Sequence, residues 1–197
     1  MTETKPKDVK TIIKEAEDIK CAVQRSIYLM NEFLDGPMCG RCLPCPMASY
    51  EMRVILTRMS EGEGKPGDVE AIKRLAPDMQ ELSMCKRGKD IAGFILDLME
   101  SSQGEFESHI EKACPAKECK ALFTYKVIPE KCTICGDCLD ACKDNAIIGE
   151  KRLSYKSGYL PFEIADERCT RCGECIKVCK YGAIEEVDEK ELAEVTA

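Results

Sequence analysis

The sequence predicts an α+β chain in two parts. An N-terminal helical bundle fills about the first hundred residues. A C-terminal part of short strands surrounds a duplicated cysteine motif. Three observations carry this. Apolar residues in the first hundred positions recur at three- and four-residue steps, the period of helices with one buried face. From about residue 120 that period gives way to short β-rich runs and turn residues. Two segments, "CTICGDCLDACKDNAI" from Cys132 and "CTRCGECIKVCKYGAI" from Cys169, agree at nine of sixteen positions, which marks an internal duplication.

The first helix is expected over 8–34, on the stripe Ile12, Ala16, Ile19, Val23, Ile27, Met30 and Leu34, with Gly36-Pro37 ending it. A second runs from Pro46 to Glu61, with Met52, Ile55, Leu56 and Met59 on one side. "EGEGKPGD" reads as a loop, and Asp68 can cap a third helix carrying Val69, Ile72, Leu75 and Met79. Pro77 kinks or restarts it. The fourth shows Ile91, Phe94, Ile95, Leu98 and Met99. Methionine fills irregular gaps well, so these stripes read as core rather than as a binding surface. "KALFTYKVI" reads as a strand, and "RLSYKSGYLPFEIA" as two short strands joined by a Ser-Gly turn. "EVDEKELAEVTA" is a solvated acidic end. The expected parts are a helical domain over 1–104, a hinge over 105–122 and a second domain over 123–197.

Fifteen cysteines in 197 residues dominate the composition. "MTETKPKDVK" lacks the apolar core of a secretory signal, and no apolar run is long enough to span a membrane. A cytoplasmic, reducing setting follows, where dense cysteine means metal rather than disulfides. The odd count also speaks against a complete disulfide set. A formal charge of −7 excludes nucleic acid as an expected partner, because its binders carry basic patches.

Each repeat reads C-x2-C-x2-C-x3-C. This spacing resembles that of bacterial two-cluster ferredoxins over about residues 120–190. In them three cysteines of one motif and the fourth of the other hold each cubane. The resemblance implies one [4Fe–4S] cluster on Cys132, Cys135, Cys138 and Cys179, and another on Cys169, Cys172, Cys175 and Cys142. It also places the fourth cysteine at the start of a short helix. Gly136 and Gly173 relieve crowding where the loops turn, and Ala146-Ile147 and Ala183-Ile184 pack against the cubanes. Lys143 and Lys180 stand where such ferredoxins usually have proline. The competing reading, a pair of zinc ribbons, does not use a three-plus-one pattern.

"CGRCLPC" supplies Cys39, Cys42 and Cys45, and "SMCKRG" supplies Cys85 some forty residues on. Over about residues 20–112 this resembles the cluster-binding C-terminal region of the NADH-binding flavoprotein subunit of complex I and of electron-bifurcating hydrogenases. The resemblance implies a third [4Fe–4S] cluster on Cys39, Cys42, Cys45 and Cys85. In that family the flavin and nicotinamide sites lie in a preceding domain built on glycine-rich loops. No such loop is seen here, so neither FMN nor NAD is expected.

Cys21, Cys114 and Cys119 remain, with His109, the only histidine. They make a Cys₃His set, the donor set of a closed structural zinc site. On a continuous first helix Cys21 falls on the polar side, near Lys14, Glu17, Arg25 and Tyr28. A ligand role explains a thiol there. Unligated thiols with a surface histidine, or a disulfide, are the alternatives. The whole reads as an electron-transfer subunit of an anaerobic oxidoreductase, without a catalytic site of its own. Its expected partners are a large catalytic redox subunit and a further electron-transfer protein. A three-cluster chain of this size is similar to the small iron–sulfur subunit of tungsten-dependent benzoyl-CoA reductases, which implies a tungstopterin partner. A flavin-based bifurcating hydrogenase or formate dehydrogenase is the alternative parent, and a free ferredoxin a lesser one.

Overall fold

The computed structural model describes residues 7–153 and 158–191. Two compact units divide the chain, Met1–Leu122 and Phe123–Ala197. Residues 105–122 fall inside the first. Among its described residues six helices build that unit: α1 (Val9–Ala16), α2 (Ala22–Asp35), α3 (Pro44–Ser60), α4 (Asp68–Leu82), α5 (Lys86–Ser101) and α6 (Gln103–Ile110). A 3₁₀ turn, Lys120–Leu122, closes it. Helix α2 packs on α3, α3 on α4 and α4 on α5, and α1 lies against α2 and α5. Their apolar stripes meet in one core containing Ile12, Leu29, Phe33, Leu56, Ile72 and Ile91. Met30, Met52, Met59 and Met79 are fully buried in it, so the methionine stripes are packing residues. Each such side chain contributes about 1.5–3 kcal/mol by leaving water.

The helix expected over 8–34 is broken. Helix α1 ends at Ala16 and α2 begins at Ala22, with Cys21 extended at its N-cap (φ −72°, ψ 124°). The break turns Cys21 out of the polar stripe and into the core, where it is fully buried. The N–H groups that the break frees are met by distant carboxylates. Glu118 accepts from Lys20 N–H and Cys21 N–H (3.2 and 2.9 Å), and Glu105 accepts from Ala22 N–H (2.9 Å). Arg25 donates to the Ile19 carbonyl and holds the turn. Asp68 is the first residue of α4 rather than its cap; Gly67, at φ 96°, is the cap. The Asp68 carboxylate instead accepts from Lys65 N–H (2.8 Å) and pairs with Arg58. Helix α4 runs through Pro77 without ending.

The second unit holds β1 (Phe123–Val127), α7 (Asp137–Ala141), β2 (Ile147–Ile148), β3 (Glu163–Ile164), α8 (Glu174–Val178) and β4 (Ile184–Asp188). β1 pairs antiparallel with β4, Phe123 opposite Asp188, and β2 pairs antiparallel with β3, Ile147 opposite Ile164. Of the two strands expected between the repeats only β3 is present among the described residues. Its partner is β2, at the end of the first repeat. The Ser-Gly turn rests partly on residues 154–157, outside the described residues, as does the second half of the acidic end, 192–197. Glu186, Val187 and Asp188 of that end are part of β4 rather than a free solvated tail. Phe123, Tyr125, Ile147, Phe162 and Ile184 form this unit's apolar core together with Cys138 and Cys175.

Candidate metal centres

Each repeat folds the same way. Ile134 and Arg171 (φ 60° and 55°), then Gly136 and Gly173 (86° and 77°), then Asn145 and Gly182 (51° and 58°) take left-handed conformations at equivalent positions. Successive turns of this kind aim backbone N–H groups inward and make an anion-binding nest. The third cysteine of each motif, Cys138 or Cys175, lies in the short helix that follows the glycine. The fourth, Cys142 or Cys179, ends that helix as its C-cap and does not start one, which corrects the expectation. Its sulfur accepts a backbone N–H four residues on, from Ala146 (3.2 Å) or Ala183 (3.4 Å).

Two hollows of nearly equal size result. Cys132, Cys135 and Cys138 line the first together with Cys179, Ala183 and Ile184. Cys169, Cys172 and Cys175 line the second together with Cys142, Ala146 and Ile147. Each hollow thus takes three cysteines from one repeat and one from the other. Burial pushes the Cys138 and Cys175 thiols up to about 11, so uncharged thiols are favoured there until something positive shares the site. A four-iron core bound by thiolates supplies that charge.

In the first unit Cys39 is exposed, Cys42 and Cys45 are buried and Cys85 is half-buried. Gly40, at φ 65°, turns the loop after Cys39. Cys45 sits in the first turn of α3 and Cys85 is the N-cap of α5. Burial first, and then the neighbouring Cys42, Cys85 and Cys39, push the Cys45 thiol up to about 11, so the four sulfurs share one electrostatic environment. Arg87 reaches the Pro37 carbonyl and ties the two segments together. Beside this site α3 and its N-cap Leu43 show an exposed apolar stripe at helical spacing, Leu43, Met47, Tyr50 and Val54, and Met84 next to Cys85 is 86% exposed.

The fourth group is Cys21, His109, Cys114 and Cys119, all buried, with ligand atoms within 4.8 Å of one another. Cys21 Sγ lies 3.8 Å from Cys119 Sγ and 3.9 Å from Cys114 Sγ. His109 Nε2 lies 3.4 and 3.3 Å from Cys21 Sγ and Cys119 Sγ. A tetrahedral zinc with Zn–S of about 2.3 Å and Zn–N of about 2.0 Å has S···S edges of about 3.8 Å and N···S edges of about 3.5 Å. The observed spacings fit that tetrahedron and are far too long for a disulfide. His109 Nδ1–H donates to the Glu105 carbonyl (2.7 Å), which leaves Nε2 facing the thiols. Gln24 donates to Cys119 Sγ (3.4 Å). Burial lowers the basicity of His109, yet hydrogen bonds to Cys114 and Cys119 outweigh it and raise its pKa to about 10. Lys117, at φ 53°, turns the chain between Cys114 and Cys119. Glu105, Glu118 and Gln24, which hold this site, have no spacing signature in the sequence; they act across about a hundred residues of chain.

No helix among the described residues is long and apolar enough to cross a membrane.

Residues 25–109 match the NADH-ubiquinone oxidoreductase-F iron-sulfur binding region, and residues 131–183 match a 4Fe-4S dicluster domain. Among curated relatives, the NADP-reducing hydrogenase subunit HndC of Solidesulfovibrio fructosivorans is 36% identical over 142 residues, 72% of this chain and 28% of that one. The NADP(+)-dependent formate dehydrogenase subunit beta of Moorella thermoacetica is 33% identical over 67 residues, 34% of this chain and 10% of that one. The mitochondrial NADH-ubiquinone oxidoreductase 51 kDa subunit of Neurospora crassa is 27% identical over 90 residues, 46% of this chain and 18% of that one. The chain therefore spans at most 28% of the length of these relatives.

Proposed function

We propose that this chain, which joins an NADH-ubiquinone oxidoreductase-F type iron–sulfur region to a 4Fe-4S dicluster domain, is the electron-transfer subunit of a larger oxidoreductase complex. Three [4Fe–4S] clusters carry the electrons. Cys39, Cys42, Cys45 and Cys85 hold one; Cys132, Cys135, Cys138 and Cys179 hold the second; Cys169, Cys172, Cys175 and Cys142 hold the third. Cys21, His109, Cys114 and Cys119 hold a zinc ion, which has no redox chemistry and acts as a structural closure. The observation that carries the reading is the crosswise grouping of eight cysteines in two equal hollows. Thiolates and inward N–H groups there hold the clusters, stabilise their reduced form and exclude water.

One partner is a catalytic redox subunit and the other a further electron-transfer protein. The exposed stripe Leu43, Met47, Tyr50 and Val54 flanks the N-terminal cysteine loop, where a redox partner must come close to exchange electrons. It is the face we assign to the catalytic subunit. The named relatives support a parent of hydrogenase or formate dehydrogenase type. A tungstopterin parent of benzoyl-CoA reductase type rests on the three-cluster architecture alone. FMN and NAD, where the parent complex contains them, are assigned to another chain. Purification of the native complex under anaerobic conditions, followed by assay for flavin, molybdenum and tungsten, separates these parents. Tungsten without flavin selects the second and flavin without tungsten the first. A chain that purifies alone with neither contradicts the subunit reading.

A further inference from the structure

Among the buried serines of the first unit, two are satisfied in the ordinary way. Ser26 Oγ donates to the Ala22 carbonyl (2.8 Å) and Ser49 Oγ to the Cys45 carbonyl (2.7 Å), each one helical turn back. Ser83 is different. It is 2% exposed, stands in an extended conformation at the end of α4, and its hydroxyl meets no hydrogen-bond partner of ordinary geometry. Its backbone N–H is satisfied by the Met79 carbonyl (3.1 Å), so the hydroxyl alone is left over. A buried hydroxyl without a partner is destabilising, because it gives up its hydrogen bond to water and gains none. Such a group needs an explanation in a well-packed core.

Its surroundings supply one. Gly88 is the third residue of α5, where glycine is less favourable than alanine. No positive φ requires it there. Space does: a Cβ on Gly88 would stand 2.7 Å from Ser83 Oγ and 3.3 Å from Cys45 Sγ. The hydroxyl and the sulfur therefore border the same point, and a side chain at residue 88 would fill it.

We infer that the Ser83 hydroxyl donates a hydrogen bond to the Cys45 sulfur of the N-terminal cluster and raises that cluster's reduction potential, with Gly88 as the positioning residue that keeps the space open. The inference rests on the reading that Cys39, Cys42, Cys45 and Cys85 hold a cluster. A donor at a ligand sulfur stabilises the reduced state, which carries one more negative charge. The signal in the sequence is small: Ser83 and Gly88 flank Cys85 by two and three positions in "SMCKRG".

The test uses the full chain, reconstituted anaerobically with iron and sulfide. Wild type, Ser83→Ala and Ser83→Thr are titrated with dithionite and followed by EPR, and pulsed EPR in D₂O detects exchangeable protons near each cluster. Ser83→Ala should keep its iron but lose about tenfold in the reduction equilibrium of this cluster, a fall of about 59 mV for a one-electron couple. Ser83→Thr should hold the wild-type potential. One exchangeable coupling should vanish in Ser83→Ala alone. An unchanged potential in Ser83→Ala with the cluster in place overturns the inference. So does loss of the cluster in that variant, which would make the hydroxyl structural. Wild type that binds iron for only two clusters overturns the underlying reading instead, before any variant is compared.

Discussion

Cys21 illustrates how far one residue's role depends on its backbone. Its membership in a Cys₃His set follows from counting, because twelve of fifteen cysteines fall into motif spacings and three remain beside one histidine. Its position does not. A periodic stripe cannot show a break, and the break at 17–21 is stabilised by Glu105 and Glu118, whose carboxylates come from far along the chain. His109→Ala should therefore lose the zinc while leaving iron content unchanged, and should lower the melting temperature, checked by metal analysis and calorimetry on the same sample. Asp68 gives a second prediction at this scale. Burial works against its charge, but the Arg58 guanidinium and the Lys65 N–H outweigh it and hold the carboxyl below the usual range. A depressed folded pKa gives stability that is present above the unfolded value of about 3.9 and is lost as pH falls through the folded value. Asp68→Asn should cost about 1.5–3 kcal/mol at pH 7 and progressively less below about pH 4, read from denaturant midpoints across that range.

At the scale of elements, helices α3 and α5 were legible because each buries one continuous apolar face, and strand β1 because its run of aromatic and β-branched residues favours extended backbone, although Phe123, Thr124 and Tyr125 are buried on both faces. Helix α6 was not: "QGEFESHI" buries only Phe106 and His109, too few residues to show a period. The two-residue strands β2 and β3 were beyond reach for the same reason, since their pairing is settled by the folding of the loops around the two hollows. Those loops depend on left-handed turns. At Gly173 (φ 77°) a Cβ would meet only the Tyr125 hydroxyl, at 3.4 Å, so Gly173→Ala isolates the conformational cost. That cost is about 1–2 kcal/mol. It should appear as faster iron release from one of the two ferredoxin-type clusters, measured by bleaching of the cluster absorbance under a chelator. The exposed stripe on α3 gives another prediction. Met47→Glu should reduce co-purification of the catalytic subunit and leave the chain's own iron content unchanged.

For the whole molecule, the change of period near residue 120 and the cysteine spacings within sixteen residues are local features and so leave a trace in the sequence, whereas residues 105–122, expected as a hinge, fall inside the first unit. The supporting groups, among them Ser83, Gly88, Gln24 and Glu118, leave no such trace, because they act through space on sites that their neighbours in sequence do not announce. The central claim is that the fifteen cysteines and one histidine are divided among three four-iron clusters and one zinc ion. Iron and zinc per chain, measured by mass spectrometry on anaerobically purified protein, test it most directly. The prediction is about twelve iron and about one zinc. About eight iron would contradict the cluster on Cys39, Cys42, Cys45 and Cys85. Twelve iron with no zinc would contradict the tetrahedral site at Cys21, His109, Cys114 and Cys119.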